Sequence, residues 1–396
     1  MDLERKKRLY QLAQLMSKQS LNYFPITGKT LQLFDLVITE QEVEFLLKVG
    51  RKSNTEGQLR WISGLDAEAF QPFFQTIQRK GLLLLHEDEA RRRTYSLAAI
   101  VVGWVEFTLL EGRGDESQVA FARKLEKFFQ SFTKLNQFPQ RQLLNLLGPR
   151  LLRPIIDIQA TVPADPKQSL RTIQLDLPVH APDHHVHPSN TVFSLLSRCG
   201  ERQPIALVNC FCRQRRNLLG EECRFHLPNE ACLVVGHFSR QLIEQGLGRA
   251  ISRDEARQVV QTSQKRGAVH AVFHDGEDLE RPEAVICNCC WDCCGFLGNY
   301  NRARQTLYYR AHYLAVPARP RECQGCGLCE KICPSQAIQV RERTVSLRAE
   351  RCIGCGQCAF QCKRKVYELV PSTRSVFLPM LKAGKARLSS STPQVN

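Results

Sequence analysis

Two cysteine runs of identical spacing constrain this chain more than any other feature. Cys323, Cys326, Cys329 and Cys333 follow C-x2-C-x2-C-x3-C, with Pro334 after the last. Cys352, Cys355, Cys358 and Cys362 repeat that spacing 29 positions later. A repeat this regular reads as an internal duplication. Three thiolates on one tight loop can grip three irons of a cubane cluster, and the fourth cysteine opens a short helix leading away from it. Gly325, Gly327, Gly354 and Gly356 let the backbone turn tightly and bring amides toward the sulfurs, whose hydrogen bonds tune the metal. A zinc ribbon also uses C-x2-C pairs, but tetrahedral zinc takes four ligands and has no use for eight thiols in duplicated register.

The pattern resembles bacterial ferredoxins that carry two [4Fe–4S] clusters. In those proteins the fourth cysteine of each run ligates the partner cluster. The resemblance implies one cluster on Cys323, Cys326, Cys329 and Cys362 and another on Cys352, Cys355, Cys358 and Cys333. One departure from the pattern is the Lys363-Arg364-Lys365 stretch after Cys362, where proline is expected. Cations beside a reduced, anionic cluster favour reduction and also offer a docking patch.

The chain has 396 residues, enough for two or three domains. All 18 cysteines lie between Cys199 and Cys362. Dense, short-spaced thiols without a secretory context read as metal ligands rather than disulfides. No apolar run is long enough to span a membrane, and the N-terminus MDLERKKRLYQLAQ has no signal-peptide h-region, so a cytoplasmic protein is expected. The net charge of +16 suggests an acidic protein partner or nucleic acid.

Composition divides the chain into residues 1–150, a connector at 151–190, a cysteine-rich domain at 191–315, the two-cluster module at 316–370 and a tail at 371–396, expected to be disordered. In the first segment, apolar positions recur at helical spacing over Glu40–Val49 and Asp66–Lys80, Gly81 stops the second helix, and a hairpin follows. Helices followed by a hairpin resemble a winged helix, with Asp66–Lys80 as recognition helix and Glu87–Arg93 as wing. The favoured use is protein docking, since that helix is not strongly basic. The connector's His184, His185 and His187 read as a solvated linker.

The cysteine-rich domain holds Cys210, Cys212, Cys223 and Cys232, then Cys287, Cys289, Cys290, Cys293 and Cys294. Cys199 reads as a core thiol. PIALVNCFC and EAVICNCC read as apolar strands ending in cysteines, and Ser252 to Glu255 fits a capping box that starts a helix. Cys210 and Cys212 would share one strand face, and Cys287 and Cys289 another. Pairing of those strands would converge four thiols into an iron–sulfur shell, leaving Cys290, Cys293 and Cys294 with Cys223 and Cys232 for a second centre or a thiol pair. Adjacent Cys289–Cys290 and Cys293–Cys294 point to opposite sides, so the five cannot serve one metal. His226 is a weaker ligand candidate.

NCFCRQ at 209–214, GLGRAISRDEA at 246–256 and ICNCCWDCCG at 286–295 resemble a family of multidomain bacterial 4Fe–4S binding proteins, whose layout the N-terminal segment and cluster module also match. The resulting expectation is an α+β multidomain chain. It combines a winged-helix-like N-terminal domain, a cysteine-rich α/β central domain and a C-terminal two-[4Fe–4S] ferredoxin fold. The expected cofactors are two [4Fe–4S] clusters and a further iron–sulfur cluster or zinc in the central domain. Electron transfer with a redox protein partner is the leading function. A redox-responsive regulator that reads DNA is the alternative, and specific nucleic-acid binding is not expected. No dinucleotide fingerprint and no catalytic triad or carboxylate pair stands out.

Overall fold

Residues 1–17, 26–88, 90–135, 184–198, 204–274 and 284–388 are described in this computed structural model. The fold mixes helix and sheet. The N-terminal part comprises α1 (Leu3–Ser17), α2 (Gly28–Val37), α3 (Glu40–Val49), α4 (Glu56–Ser63), α5 (Ala67–Arg79), the hairpin β1 (Leu83–Glu87) and β2 (Arg93–Leu97), α6 (Val105–Leu110) and α7 (Glu116–Leu135). Local chemistry sets these boundaries. Thr39 and Glu42 cap α3 reciprocally, the Glu42 amide donating to Thr39 Oγ1 at 3.3 Å and the Thr39 amide to Glu42 Oε2 at 2.7 Å. Lys80 then donates to Glu42 at 2.7 Å, fastening the end of α5 to α3. Gly81 has φ +65°, and a Cβ there would lie 2.2 Å from the Phe107 ring, so glycine is required. Phe34, Phe74, Trp104 and Phe121 are buried in the shared core.

The remaining strands form an eight-stranded sheet. They are β3 (His184–His187), β4 (Ile205–Asn209), β5 (Glu230–Val235), β6 (Gly248–Ile251), β7 (Val269–His274), β8 (Ala284–Cys289), β9 (Leu307–Pro317) and β12 (Tyr367–Leu378). Their order is β12-β9-β3-β7-β8-β5-β4-β6, and β10 (Ile338–Arg341) and β11 (Thr344–Leu347) make a separate hairpin. Every pairing in the large sheet is antiparallel except β3 with β9. The expected α/β centre is therefore an antiparallel sheet with helices packed on it, not a set of crossover units. The helices here are α8 (Ser189–Arg198), α9 (Phe211–Leu218), α10 (His237–Glu244), α11 (Arg253–Lys265) and α12 (Leu297–Asn301).

Alternation along the strands sorts the two faces. Ile205, Leu207, Leu233, Val235 and Ile286 pack with α8 and α11 residues Leu196 and Val260. Ala206, Val208, Cys232 and Val234 face the other way, with Leu242 of α10 and Phe107 of α6. Ser252 caps α11 by accepting from the Glu255 amide at 3.1 Å, whereas the Glu255 carboxylate takes Arg249 at 2.6 Å. Only half of the expected capping box is therefore used.

Three expectations about the connecting segments differ from the structure. His184–His187 form strand β3 inside the sheet rather than a linker, with the His187 ring stacked on His312 at 4.5 Å. The chain does not leave the fold at residue 371. β12 runs to Leu378 opposite Leu307, and residues up to Leu388 are placed. The module boundaries at 316 and 370 also fall inside β9 and β12, so the two-cluster segment is carried between two strands of the large sheet. Most of the connector and residues 389–396 lie outside the described residues, as does Cys199.

The N-terminal part is tied to the sheet by polar contacts. Gln241 of α10 accepts from the Leu85 amide and donates to the Leu83 carbonyl, both at 2.9 Å. Arg93 reaches Glu244 at 2.8 Å, and Arg240 reaches Glu87 at 2.5 Å. Deeper in, Glu126 of α7 meets Arg304 at 2.6 Å and lies 3.6 Å from both Arg215 and Arg216 of α9. Burial pushes the Glu126 carboxyl up, but these arginines outweigh it and hold it down at about 2. Removing one partner of a buried ion pair costs about 3–5 kcal/mol, because the other charges stay buried. Glu126→Gln should therefore lower the unfolding temperature at pH 7. The carboxylate's contribution is whole above its ordinary value of 4.5 and is lost as pH falls towards about 2. The gap between the two proteins should accordingly narrow below pH 4.5, checked by thermal unfolding across that range.

Candidate metal centres

The C-terminal runs are built on two short helices of matching design. Gly327 and Gly356, both left-handed, precede α13 (Leu328–Ile332) and α14 (Gln357–Gln361), and Cys333 and Cys362 follow those helices directly. Gly325 and Gly354 also have positive φ. A Cβ would lie 2.1 Å from the Glu342 carbonyl at the first and 2.2 Å from the Tyr313 carbonyl at the second. These are the close approaches that the glycine spacing anticipates.

Cys333, Cys352, Cys355 and Cys358 line one cavity, together with Ile338, Leu347 and Ile353. The fourth cysteine of the first run thus joins the first three of the second. The set carries four thiols in an apolar wall, which suits a cubane cluster. Cys323, Cys329 and Cys362 are half-buried and Cys326 is exposed, so the first run lies nearer the surface. Amides point at sulfur: Gly325 donates to Cys323 Sγ at 3.4 Å and Ala337 to Cys333 Sγ at 3.2 Å. Burial pushes the Cys355 and Cys358 thiols up, a penalty that metal binding to the thiolates would offset. Lys363, Arg364 and Lys365 are all exposed.

In the central region six thiols form a closed ring of neighbours in the order Cys210, Cys212, Cys294, Cys289, Cys287 and Cys232. Cys210 and Cys212 reach Cys287 and Cys289 only through Cys232 and Cys294, by a different route from paired strands, and no three of the six sulfurs lie within 4.8 Å of one another. Cys210 immediately precedes α9 and Cys212 sits in its first turn, so neither lies on a strand. β4 and β8 do not pair, because β5 runs between them. Leu233 of β5 lies opposite Ile286, which places the next pair, Cys232 and Cys287, together on the other face. Cys232 therefore belongs to the ring and not to the leftover group. Cys294 is brought back by the turn after β8, where the Gly295 amide donates to Cys212 Sγ at 3.1 Å.

The other three thiols gather separately. The sulfurs of Cys223, Cys290 and Cys293 all lie within 4.8 Å of one another and are buried. The Cys293 amide donates to Cys290 Sγ at 3.1 Å, and Asp292 Oδ2 lies 4.0 Å from Cys293 Sγ. His226 is exposed and lies outside this group. Arg213, only 1% exposed, stands between the two sets. Burial pushes its guanidinium down, but Cys210, Cys290, Cys232 and Cys223 outweigh that and raise it. Sequence reasoning missed the buried arginines Arg213, Arg215, Arg216, Arg302 and Arg304. The RQRR run at 213–216, next to two cysteines, was the available signal.

Residues 322–366 match the family described as 4Fe-4S dicluster domain. No curated protein and no solved structure matches the chain. The protein thus carries a 4Fe–4S dicluster domain near its C-terminus, which supports an iron–sulfur electron-transfer role, and its central thiol triad could hold a further metal. No helix among the described residues is long and apolar enough to cross a membrane.

Gly354 offers a direct check on the loop geometry. Gly354→Ala places a Cβ against the Tyr313 carbonyl at positive φ, a strain on the order of 1–3 kcal/mol. The expected outcome is lost iron from the cluster nearest that loop, read as a drop of about four irons per chain relative to wild type.

Proposed function

We propose that this chain is an electron-transfer protein, or the electron-transfer subunit of an oxidoreductase, that connects a two-cluster module to separate metal centres in the central domain. The observation that carries the reading is one shared core. Cys355 of the module packs with Cys289 and Cys294 of the six-thiol ring, through Ile353, Leu297 and Tyr309. Electrons entering a cluster on Cys323, Cys326, Cys329 and Cys362 would pass to one on Cys352, Cys355, Cys358 and Cys333, and from there to the ring. The exposed Cys326 and the Lys363-Arg364-Lys365 stretch mark the entry side and suit an acidic redox partner.

The ring and the triad would be different centres. Six thiols exceed what one cubane takes, so the ring has ligands for a cluster larger than four irons or for a cubane with two spare thiols. The triad supplies three ligands, and a metal held by three protein ligands keeps a position open. Iron and sulfide counting on anaerobically purified protein tests this. About eight irons belong to the dicluster module, and a surplus of about four or more is expected. Cys212→Ser with Cys294→Ser should remove ring iron and leave the module's eight. Eight irons in wild type with no surplus metal would overturn the central assignment, and zinc in place of iron would make it structural. Cys362→Ala should damage the cluster built on Cys323 rather than the nearer one.

The DNA-reading alternative is weaker, although the N-terminal helices and hairpin suit a winged helix. The hairpin that would serve as the wing is engaged with α10 through Gln241, Glu244 and Arg240, and Arg92 is paired with Asp88 at 2.7 Å. Docking of the N-terminal part onto the sheet is the use that these contacts support. Any affinity for DNA should come from phosphate contacts and fall steeply with salt. A footprint on one defined sequence at physiological salt would reverse the choice.

A further inference from the structure

A polar cavity of about 240 Å³ lies beside the thiol triad, at the junction of α7, α9 and the segment after α12. It holds a surplus of buried positive charge. Arg216, Arg302 and Arg304 line it and are 3–5% exposed, and Arg215, 1% exposed and outside the lining, lies 3.6 Å from Glu126. Against these four guanidiniums stand two buried carboxylates, Glu126 and Asp292. Glu221, half-buried, pairs with Arg216 and reduces the excess without removing it.

The buried charges are incompletely satisfied. Arg304 Nε and Arg215 Nε have no hydrogen-bond partner, and Arg215 Nη1 faces Glu126 Oε2 at 3.6 Å, too far for a hydrogen bond. Burial first, then the neighbouring Arg302 and Arg215, pushes Arg216 down to about 10. Buried charge is costly unless it is paired and hydrogen-bonded, and an anion would complete this cluster. The cavity's size limits the ligand to a small molecule. Exposed Glu222 and Arg224 mark its solvent side.

We propose that this cavity binds a small oxyanion, a phosphate or a carboxylate, on the guanidiniums of Arg216, Arg302 and Arg304. Planar guanidinium donors match both groups in a bidentate fashion. The cavity shares Asp292 with the triad: its Oδ2 accepts from the Arg224 amide at 3.0 Å and stands 4.0 Å from Cys293 Sγ. Arg302 holds the same residue, donating to the Asp292 carbonyl at 2.5 Å and the carboxylate at 3.1 Å. A bound anion would therefore sit next to the centre with the open position. That adjacency rests on the reading of the triad as a metal centre, whereas anion binding itself does not.

The test is isothermal titration of the full chain, purified without oxygen, with inorganic phosphate and separately with malonate at physiological ionic strength. Saturable binding of one anion per chain is expected, and the preferred probe tells phosphate from carboxylate. Arg216→Gln should weaken it by about tenfold or more, the usual effect of losing a charged hydrogen bond. Arg224→Ala, at the exposed rim, leaves the buried cluster intact and should weaken binding less, which covers the case in which Arg216→Gln does not fold. No binding of either anion would overturn the proposal. Equal binding by wild type and both variants would also overturn it, since that is adsorption to a basic surface. Iron is counted on the same samples, so loss of central iron with intact anion binding faults the metal reading and supports the anion site.

Discussion

The pairing of β9 with β12 is the interaction on which the rest of the arrangement depends. Ten residue pairs, from Tyr367 opposite Pro317 to Leu378 opposite Leu307, hold the two strands together. Their near ends frame the two-cluster module, and their far ends belong to the sheet that carries Cys287 and Cys289. A flexible tether between these parts would let the distance between the module and the central thiols vary. The ladder, interrupted by a register shift between Pro371 and Arg374, fixes it, because sliding the register by one residue would turn every side chain to the opposite face. Tyr309 and Val376 are buried in the same core as Ile353 and Cys289, so the ladder also supplies the apolar packing between the module and the thiol ring. Further polar contacts reinforce the docking. Gln357 donates to the Ala268 carbonyl at 2.5 Å, and Asn301 Nδ2 to the Pro334 carbonyl at 2.9 Å.

The thiol ring depends on a second constraint, the order of strands in the sheet. Cysteines two apart on β8 share a face, and that much follows from strand geometry. Bringing Cys232 beside Cys287 requires β5 to be the neighbour of β8. His270 and Asn288 then secure the opposite face, with a contact of 2.6 Å between His270 Nδ1 and Asn288 Oδ1. Burial pushes His270 down to about 4, so the imidazole is neutral and fits a dry interior. Asn288 sits between the two ring cysteines, and its donation to the Ala231 carbonyl at 2.5 Å ties β8 to β5 beside Cys232. The polar residues of one face thus hold the register that aligns the thiols of the other.

What could be read in the sequence divides by the range of the interaction. The helices at Glu40–Val49 and near Asp66–Lys80 were legible because caps and apolar spacing are local. The cluster loops were legible because their glycines and cysteines lie within a few residues of each other. The division of consecutive cysteines between two thiol groups was legible only in part, since neighbours point apart but Cys294 was expected with Cys290 and Cys293: Cys289 and Cys294 join the ring, while Cys290 and Cys293 join the triad. The strand at His184–His187 was not legible. Four residues rich in histidine carry no β signal, and they pair only because β7 and β9 present free edges. Membership of Cys232 was hidden for the same reason, being a property of strand order. The continuation of the fold to Leu378 was hidden by composition, since Ser372, Thr373 and Ser375 read as a polar tail although Val376 and Leu378 are buried.

Arg213 explains how two groups of thiols can sit so close together. Thiolates or anionic clusters repel one another, and the repulsion is strong where water is excluded. A single guanidinium between Cys210 and Cys232 on one side and Cys223 and Cys290 on the other supplies the compensating charge to both. It is held in place at both ends, donating to the Pro228 carbonyl and, at 3.3 Å, to the Asn288 carbonyl. Lysine could not substitute, because one ammonium cannot address two groups through a rigid planar fork. The same residue therefore separates the two thiol groups sterically and couples them electrostatically, so a change of charge on one group will be felt at the other.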